Sequence, residues 1–312
     1  MNELLNLGAS ALKKAALNKE AKAFILNSKP LYQALRKAAD RYIGGETLEE
    51  TIPKVIQENQ KGFKCSIEFM GESTLTEYEA NQAKDEFIEI AREIKKQNLN
   101  STFSLDLSHI GLAISKDLCL NNLHQICSAS QQNGIEVTVS AEGAERTSSV
   151  IEVYREASKT HSNLAITLQA YLYRSKDDFQ DLLKENGRIR IVKGAFATPE
   201  GISMPRGAKL DEVYLDFVDQ LFAKNHKCSI ATHHHELQQE AKKLVQNYKP
   251  AADYYEFESL YGIQTEQLTA LKEEGYVTKL YLVYGKEWYL YLCNRIAEYP
   301  LNLFRALNDI VG

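Results

Sequence analysis

The residues best suited to chemistry lie in one stretch, Arg188-Ile189-Arg190-Ile191-Val192-Lys193-Gly194-Ala195-Phe196. A β-branched run that alternates cation with apolar residue and breaks at a glycine reads as a short strand. Alternation puts Arg188 and Arg190 on one face and Ile189 and Ile191 on the other. Lys193 falls at the strand's end, where the chain turns over through Gly194. Burying a cationic face is costly unless the cations meet an anion. Two readings are open at this point. One is a surface edge strand blunted by charge; the other is a strand end that holds a phosphate or another anionic ligand.

Further polar candidates also fall at the ends of apolar runs: Glu68 and Glu72, Asp106 and Ser108, Ser140 and Glu142, Gln169, Thr232 and His233, Glu256 and Glu258, Tyr281 and Tyr284. Carboxylates, cations and amides are mixed, which suits a ligand that is polar along its length. His233-His234-His235 has the residue type of a metal site, but neighbours in a loop do not readily converge on one ion, so no metal is expected. Glu142, Glu145 and Arg146 read as a solvated helix start, Arg188 as an outer salt-bridge partner, and Arg174 as either a helix-start salt bridge or a site residue. Among Tyr281, Tyr284, Trp288, Tyr289 and Tyr291, helical spacing points mainly to core packing, with Tyr281 and Tyr291 left as pocket wall. Glu298 is spaced to pair with Arg295 at i,i+3.

Such residues need strands to position them. Short apolar runs at 65–69, 103–107, 135–140, 165–169, 189–193, 229–232, 254–257 and 279–283 alternate with helical stretches such as 76–96 and 211–224. Eight strand-and-helix units in one uninterrupted run predict an α/β fold, a (β/α)8 TIM-like barrel whose chemistry sits at the C-terminal strand ends. No strand is followed by GxGxxG, which argues against a dinucleotide-binding open sheet. Residues 1–60 read as an N-terminal helical leader and 61–312 as the barrel. In the leader, Pro30 separates two helices, Gly44-Gly45 ends the second, and Thr47-x-x-Glu50 caps a third.

A net charge of -5 argues against nucleic acid or an anionic membrane surface as main partner. No apolar run approaches the roughly 18 residues of a membrane span. The five cysteines are scattered without a CxxC pair. They read as reduced thiols of a cytoplasmic protein.

The ordered motifs resemble those of the proline dehydrogenase family. They are Met70-Gly71-Glu72, Leu168-Gln169-Ala170-Tyr171-Leu172 with Arg174, Arg190-Ile191-Val192-Lys193-Gly194-Ala195, Ala231-Thr232-His233, Tyr255-Glu256-Phe257 with Leu260-Tyr261-Gly262, Tyr281 with Tyr284-Gly285, and Trp288-Tyr289 with Tyr291-x-x-Asn294-Arg295-x-x-Glu298-x-Pro300. The resemblance implies a flavoenzyme that binds FAD without a Rossmann module. It would remove hydride from the carbon beside the ring nitrogen of proline or a proline-like cyclic amine, pass it to flavin N5, and release the imine. On this likeness Gln169, Arg190, Lys193, Gly194, Ala195, Thr232, His233 and Glu258 contact the cofactor, and Glu298 lies near the flavin. Tyr281 and Tyr291 wall the ring, and Arg295 holds the substrate carboxylate. The electron acceptor would be a quinone or a carrier, and attachment to a membrane would be peripheral.

Several positions depart from the family pattern. Asp106 stands where a carboxylate-binding lysine is expected, Asn294 where the first of two adjacent arginines is expected, and Ser140 where an aspartate ends the third strand. Glu258 replaces a glutamine and Phe196 a tyrosine; Leu282-Val283 lacks a proline. Three cations around a carboxylate become one, with an acid added. Each lost charge-assisted hydrogen bond costs about 2–3 kcal/mol, so one to several decades of affinity for free proline are lost. The expected substrate has its carboxylate masked, absent or elsewhere, or carries an extra cation. The alternative is a flavin-binding member without proline turnover.

Overall fold

Eight parallel strands close into a barrel in chain order. They are β1 (Lys64–Phe69), β2 (Ser101–Leu105), β3 (Val137–Val139), β4 (Leu164–Gln169), β5 (Ile189–Val192), β6 (Cys228–Ala231), β7 (Tyr255–Leu260) and β8 (Thr278–Tyr284). This is a computed structural model, and it describes residues 2–71, 73–299 and 302–311. Glu72 and Pro300, both named above, lie outside the described residues.

Each strand is amphipathic by parity. Ile67, Phe103, Val137, Ile166, Ile189, Ile191, Ile230, Phe257, Leu280 and Leu282 face outward and are buried beneath the surrounding helices. Those helices are α5 (Glu77–Lys96), α6 (Lys116–Gln131), α7 (Thr147–Ser158), α8 (Ser175–Leu182), α9 (Ala208–Ala223), α10 (His235–Tyr248) and α11 (Thr265–Glu273). Thr76 begins α5 with a full capping box closed by Glu79.

The opposite parity fills the barrel with charge instead of the branched apolar layers usual in such folds. Arg188 pairs with Glu136 at 3.1 Å and lies 3.7 Å from Glu256. Lys64 reaches Glu256 at 3.0 Å, and Lys279 bridges Glu256 and Glu258. Arg190 pairs with Glu258 at 3.1 Å. The cationic face of β5 therefore has anions of its own inside the barrel. Arg188, 5% exposed, is an inward ion-pair partner rather than the outer one expected. Glu256 is held well below the ordinary carboxylate range, because Lys279, Arg188 and Lys64 outweigh the opposing effect of burial.

Four helices precede the barrel: α1 (Asn2–Leu17), α2 (Lys19–Asn27), α3 (Lys29–Ala39) and α4 (Leu48–Gln60). The break after α1, not anticipated above, is made by Asn18, whose side chain accepts from the Ala21 N–H and starts α2. Thr47 caps α4 as expected, accepting from Glu50 N. α4 packs against β1 and β8, the slot that a regular barrel gives to its eighth helix. The helix that follows β8, α12 (Trp288–Glu298), packs instead on α1 and α3, with Trp288, Tyr289, Leu292 and Ile296 in a second core. The chain ends in α13 (Asn302–Val311). Among the described residues no helix is long and apolar enough to cross a membrane.

Candidate active site

At the C-terminal half of the barrel interior, Arg190 is the central side chain. Its Nε donates to Thr167 Oγ1 at 2.8 Å, Nη1 to Ser104 Oγ at 3.0 Å, and Nη2 to Ser140 Oγ at 3.3 Å. The Ser140 hydroxyl in turn donates to Glu68 Oε2 at 2.8 Å, and the Tyr281 hydroxyl donates to the same oxygen. The Arg190 guanidinium sits 5.1 Å from the centre of the Tyr281 ring. Glu258 is thus a counter-ion of Arg190 and Lys279 in this structure.

Asp106 follows β2 at the mouth. Its parity matches Ser104, which pairs with Glu68 across β1 and β2, so the carboxyl lies one layer nearer the opening than Glu68. The two nearby cations are committed elsewhere, Arg146 to Glu142 and Arg190 to Glu258. Burial first, then the neighbouring Glu68 and Glu142, push Asp106 well above the ordinary carboxylate range. Glu142 is not solvated as the sequence suggested. It is buried, accepts the Ser108 N–H at 2.9 Å and pairs with Arg146. Its backbone carbonyl receives the Gln169 amide at 2.9 Å, which fixes that side chain.

Beyond β5 the rim is built from loops. Lys193 is paired with Asp211 at 2.5 Å and lies 2.9 Å from His234 Nδ1. Gly194 has φ +108°, and a Cβ there would sit 2.1 Å from the Tyr171 ring. The glycine is thus demanded by Tyr171 as well as by its backbone conformation. Gly194→Ala is expected to lower unfolding free energy by about 2–4 kcal/mol, from positive-φ strain plus overpacking. Chemical denaturation measures it. Ala195 is exposed beside it. Thr232 is buried, its hydroxyl accepting the His234 N–H at 3.1 Å.

The three histidines diverge. His233 Nε2 accepts from the Leu260 N–H at 3.3 Å, His234 turns to Lys193, Asp211 and Glu236, and His235 opens α10. Among the described residues, no three His, Cys, Asp or Glu side chains group as metal ligands.

α12 brings Tyr291, Asn294 and Arg295 to the same rim. Arg295 lies 4.9 Å from the Tyr291 ring centre and pairs with Glu298 at 2.6 Å. Glu298 is largely exposed and is the i,i+3 partner anticipated. Asn294 is half-buried. Three polar atoms here have no hydrogen-bond partner among the described residues: His233 Nδ1, the Tyr291 hydroxyl and Arg295 Nε. They are the kind of vacancy a polar ligand fills. Glu68 stood among the strand-end candidates and Tyr171 within a family motif, but neither was given a role; Asp211 was missed, because its contact with Lys193 crosses between elements and leaves no local signal.

Burial holds His233 down at about 4, helped by Arg295, and burial does the same for His109. A histidine held neutral in the fold but free to protonate when unfolded destabilises the protein as pH falls below its unfolded value. Stability is therefore expected to be full above about pH 6.5 and to fall towards pH 4, by up to about 3 kcal/mol per ring. Denaturant midpoints across that window test this, and His109→Phe should flatten part of the slope.

A polar-cored (β/α)8 barrel with buried cations, carboxylates and tyrosines at its C-terminal face has the architecture of a barrel enzyme. Residues 51–299 match the proline dehydrogenase family. Proline dehydrogenase 2 of Bacillus subtilis strain 168 is 32% identical over 290 residues, covering 93% of this chain and 96% of that protein. Proline dehydrogenase of Deinococcus radiodurans is 29% identical over 277 residues, 86% of this chain and 89% of that one. In shape, the chain is similar to proline utilization A from Bdellovibrio bacteriovorus inactivated by N-propargylglycine, with a TM-score of 0.79 at 17% identity. That match covers 93% of this chain and 38% of the larger protein. The chain belongs to the proline dehydrogenase family, whose matched members are named for the oxidation of proline.

Proposed function

We propose that this chain binds FAD at the barrel mouth. There it oxidises the C–N bond of proline or a proline-like cyclic secondary amine, with preference for one whose carboxylate is masked, absent or placed elsewhere. The observation that carries the reading is the rim where His233 Nδ1, Tyr291 Oη and Arg295 Nε lie buried and, among the described residues, unpartnered. Their chemistry fits a ligand with both donors and acceptors, as the flavin nucleotide and its amine substrate have together. Gln169, Arg190, Lys193, Gly194, Ala195, Thr232 and His233 would hold the cofactor. Bound FAD supplies the hydride acceptor. Tyr281 and Tyr291 would wall the substrate ring, and Arg295, steadied by Glu298, would be the cation that remains to orient it.

The substrate class follows from Asp106 and Asn294. A free carboxylate entering the mouth would meet the Asp106, Glu68 and Glu142 carboxyls and a single arginine. An amide, an ester or a bare ring amine avoids that repulsion. The final electron acceptor is of the quinone or carrier class. The exposed Leu303, Phe304 and Leu307 of α13 would suit peripheral contact with a membrane that carries a quinone.

Protein purified with FAD should be yellow and should bleach anaerobically with prolinamide, a proline ester or pyrrolidine, and less with free proline. Lys193→Ala should weaken flavin retention about tenfold, the worth of one charge-assisted hydrogen bond. Protein that takes up no flavin refutes the reading. Asp106, which has no ion-pair partner among the described residues, also favours a second reading, a flavin-binding member without amine turnover. Tight flavin binding with no bleaching by any amine would establish that one instead.

A further inference from the structure

A ring amine reaches the site protonated, with a proton affinity close to that of a lysine amine, about pKa 10.4. Its nitrogen needs a free lone pair to drive hydride off the adjacent carbon. Some group at the mouth must therefore take the proton. We propose that Tyr281 and Glu68 take it as a relay, with Asp106 as the way out to solvent; this rests on the amine-oxidation reading.

The relay is set by geometry. Glu68, 8% exposed on the inner face of β1, accepts from both Tyr281 and Ser140. Because the Tyr281 proton is directed at Glu68, the phenol oxygen presents lone pairs on its other side. Arg190 covers the Tyr281 ring but spends its own charge on Glu258. Among the described residues, no cation forms an ion pair with Glu68, so its carboxylate is free to accept a proton. Asp106 stands one layer closer to the opening on the same barrel face.

The charged and titratable groups facing this pair are known from every side. Arg190 from β5 lowers the proton affinity of Glu68, and Glu258 from β7 raises it; burial is the largest effect and also raises it. Tyr291 on α12 lies within reach of the Glu68 charge. Around Asp106, Glu68 and Glu142 raise its affinity, and Arg190 and Arg146 lower it. The other candidate bases fail on their own chemistry. His109 and His233 are held near 4 and cannot keep a proton at neutral pH. Glu142 already accepts from Ser108 and pairs with Arg146.

In the step, an N–H bond of the ammonium breaks as a new Tyr281 O–H forms. The original Tyr281 O–H breaks as a Glu68 O–H forms. The freed nitrogen pair then forms the C=N bond as hydride leaves the ring carbon for the flavin, giving the protonated imine. Glu68 passes its proton on through Asp106.

The test is anaerobic flavin reduction in the FAD-loaded protein, followed against pH with an amine that bleaches the wild type. Glu68→Gln and Tyr281→Phe are expected to slow reduction about 100-fold near pH 7. At high pH, where the amine enters already neutral, the deficit should shrink to about threefold or less. Glu68→Asp should keep most of the neutral-pH rate. Separately from turnover, fluorine NMR of fluorotyrosine-labelled protein, assigned with Tyr281→Phe, should show residue 281 titrating at lower pH in Glu68→Gln. Rate losses of equal size at every pH, or an unmoved Tyr281 titration, overturn the relay. Wild-type protein that never bleaches is a different failure, that of the amine-oxidation reading.

Discussion

Lys279→Met should lower the unfolding free energy by about 3–5 kcal/mol, the usual result of removing one partner from a buried ion pair. Lys279 is 0% exposed and faces two carboxylates, Glu256 and Glu258. Methionine fills much of the same volume, so the loss is electrostatic rather than a cavity. Glu256 would keep Arg188 and Lys64, and Glu258 would keep Arg190, but both carboxylates would lose the buried ammonium that bridges them. The sign with pH is fixed. In the wild type, Glu256 is held below the ordinary range, so its contribution is present above about pH 4.3 and lost as pH falls through the folded value. In Lys279→Met that depression shrinks, so the gap between the two proteins should narrow on acidification. Adding Glu256→Gln to Lys279→Met should recover part of the loss at neutral pH. Denaturant unfolding of the three proteins at two pH values measures all of this. A Lys279→Met protein as stable as the wild type would mean the charges are not balanced as described.

The eight strands were legible because each is a short apolar-containing run whose residues alternate between the inside and the outside of the barrel. The cations of β5 were legible for the same reason. Their counter-ions were not, because Glu136, Glu256, Glu258 and Lys279 come from other strands, and only barrel closure brings them to Arg188 and Arg190. A cationic strand in isolation therefore left an edge strand and a ligand site both open, and Arg188 was taken for an outer partner although its counter-ions lie inside the barrel. Glu142 was misjudged in the same way. Its sequence context is a helix start, but the Ser108 N–H and Arg146 reach it from the fold. The spacing of α4 marked a helix without marking its place against β1 and β8. That place leaves α12 free to bring Tyr291 and Arg295 over the mouth.

Restoring charge at the mouth should change which substrate is preferred. By the family resemblance, Asp106 and Asn294 occupy positions that hold a substrate carboxylate with cations. Here Asp106 puts an acid rather than a cation next to Glu68 and Glu142, and Asn294 leaves Arg295 alone, partly neutralised by Glu298. Converting both, Asp106→Lys with Asn294→Arg, removes one repulsion and adds two charge-assisted contacts of about 1.5–3 kcal/mol each. Part of that gain goes to ordering two long side chains. The net expectation is a rise of about 10- to 100-fold in kcat/KM for free proline relative to prolinamide. A ratio is the right measure because Asp106 is also the outlet of the proton relay, and its loss slows both substrates alike. The swap should leave flavin content intact, since neither residue is among those proposed to hold the cofactor. Asp106→Asn alone should give a smaller shift in the same direction, by removing repulsion without supplying a cation. If the ratio stays at the wild-type value while flavin is retained and prolinamide still bleaches it, the carboxylate does not pass these two positions, and the substrate preference is set elsewhere on the rim.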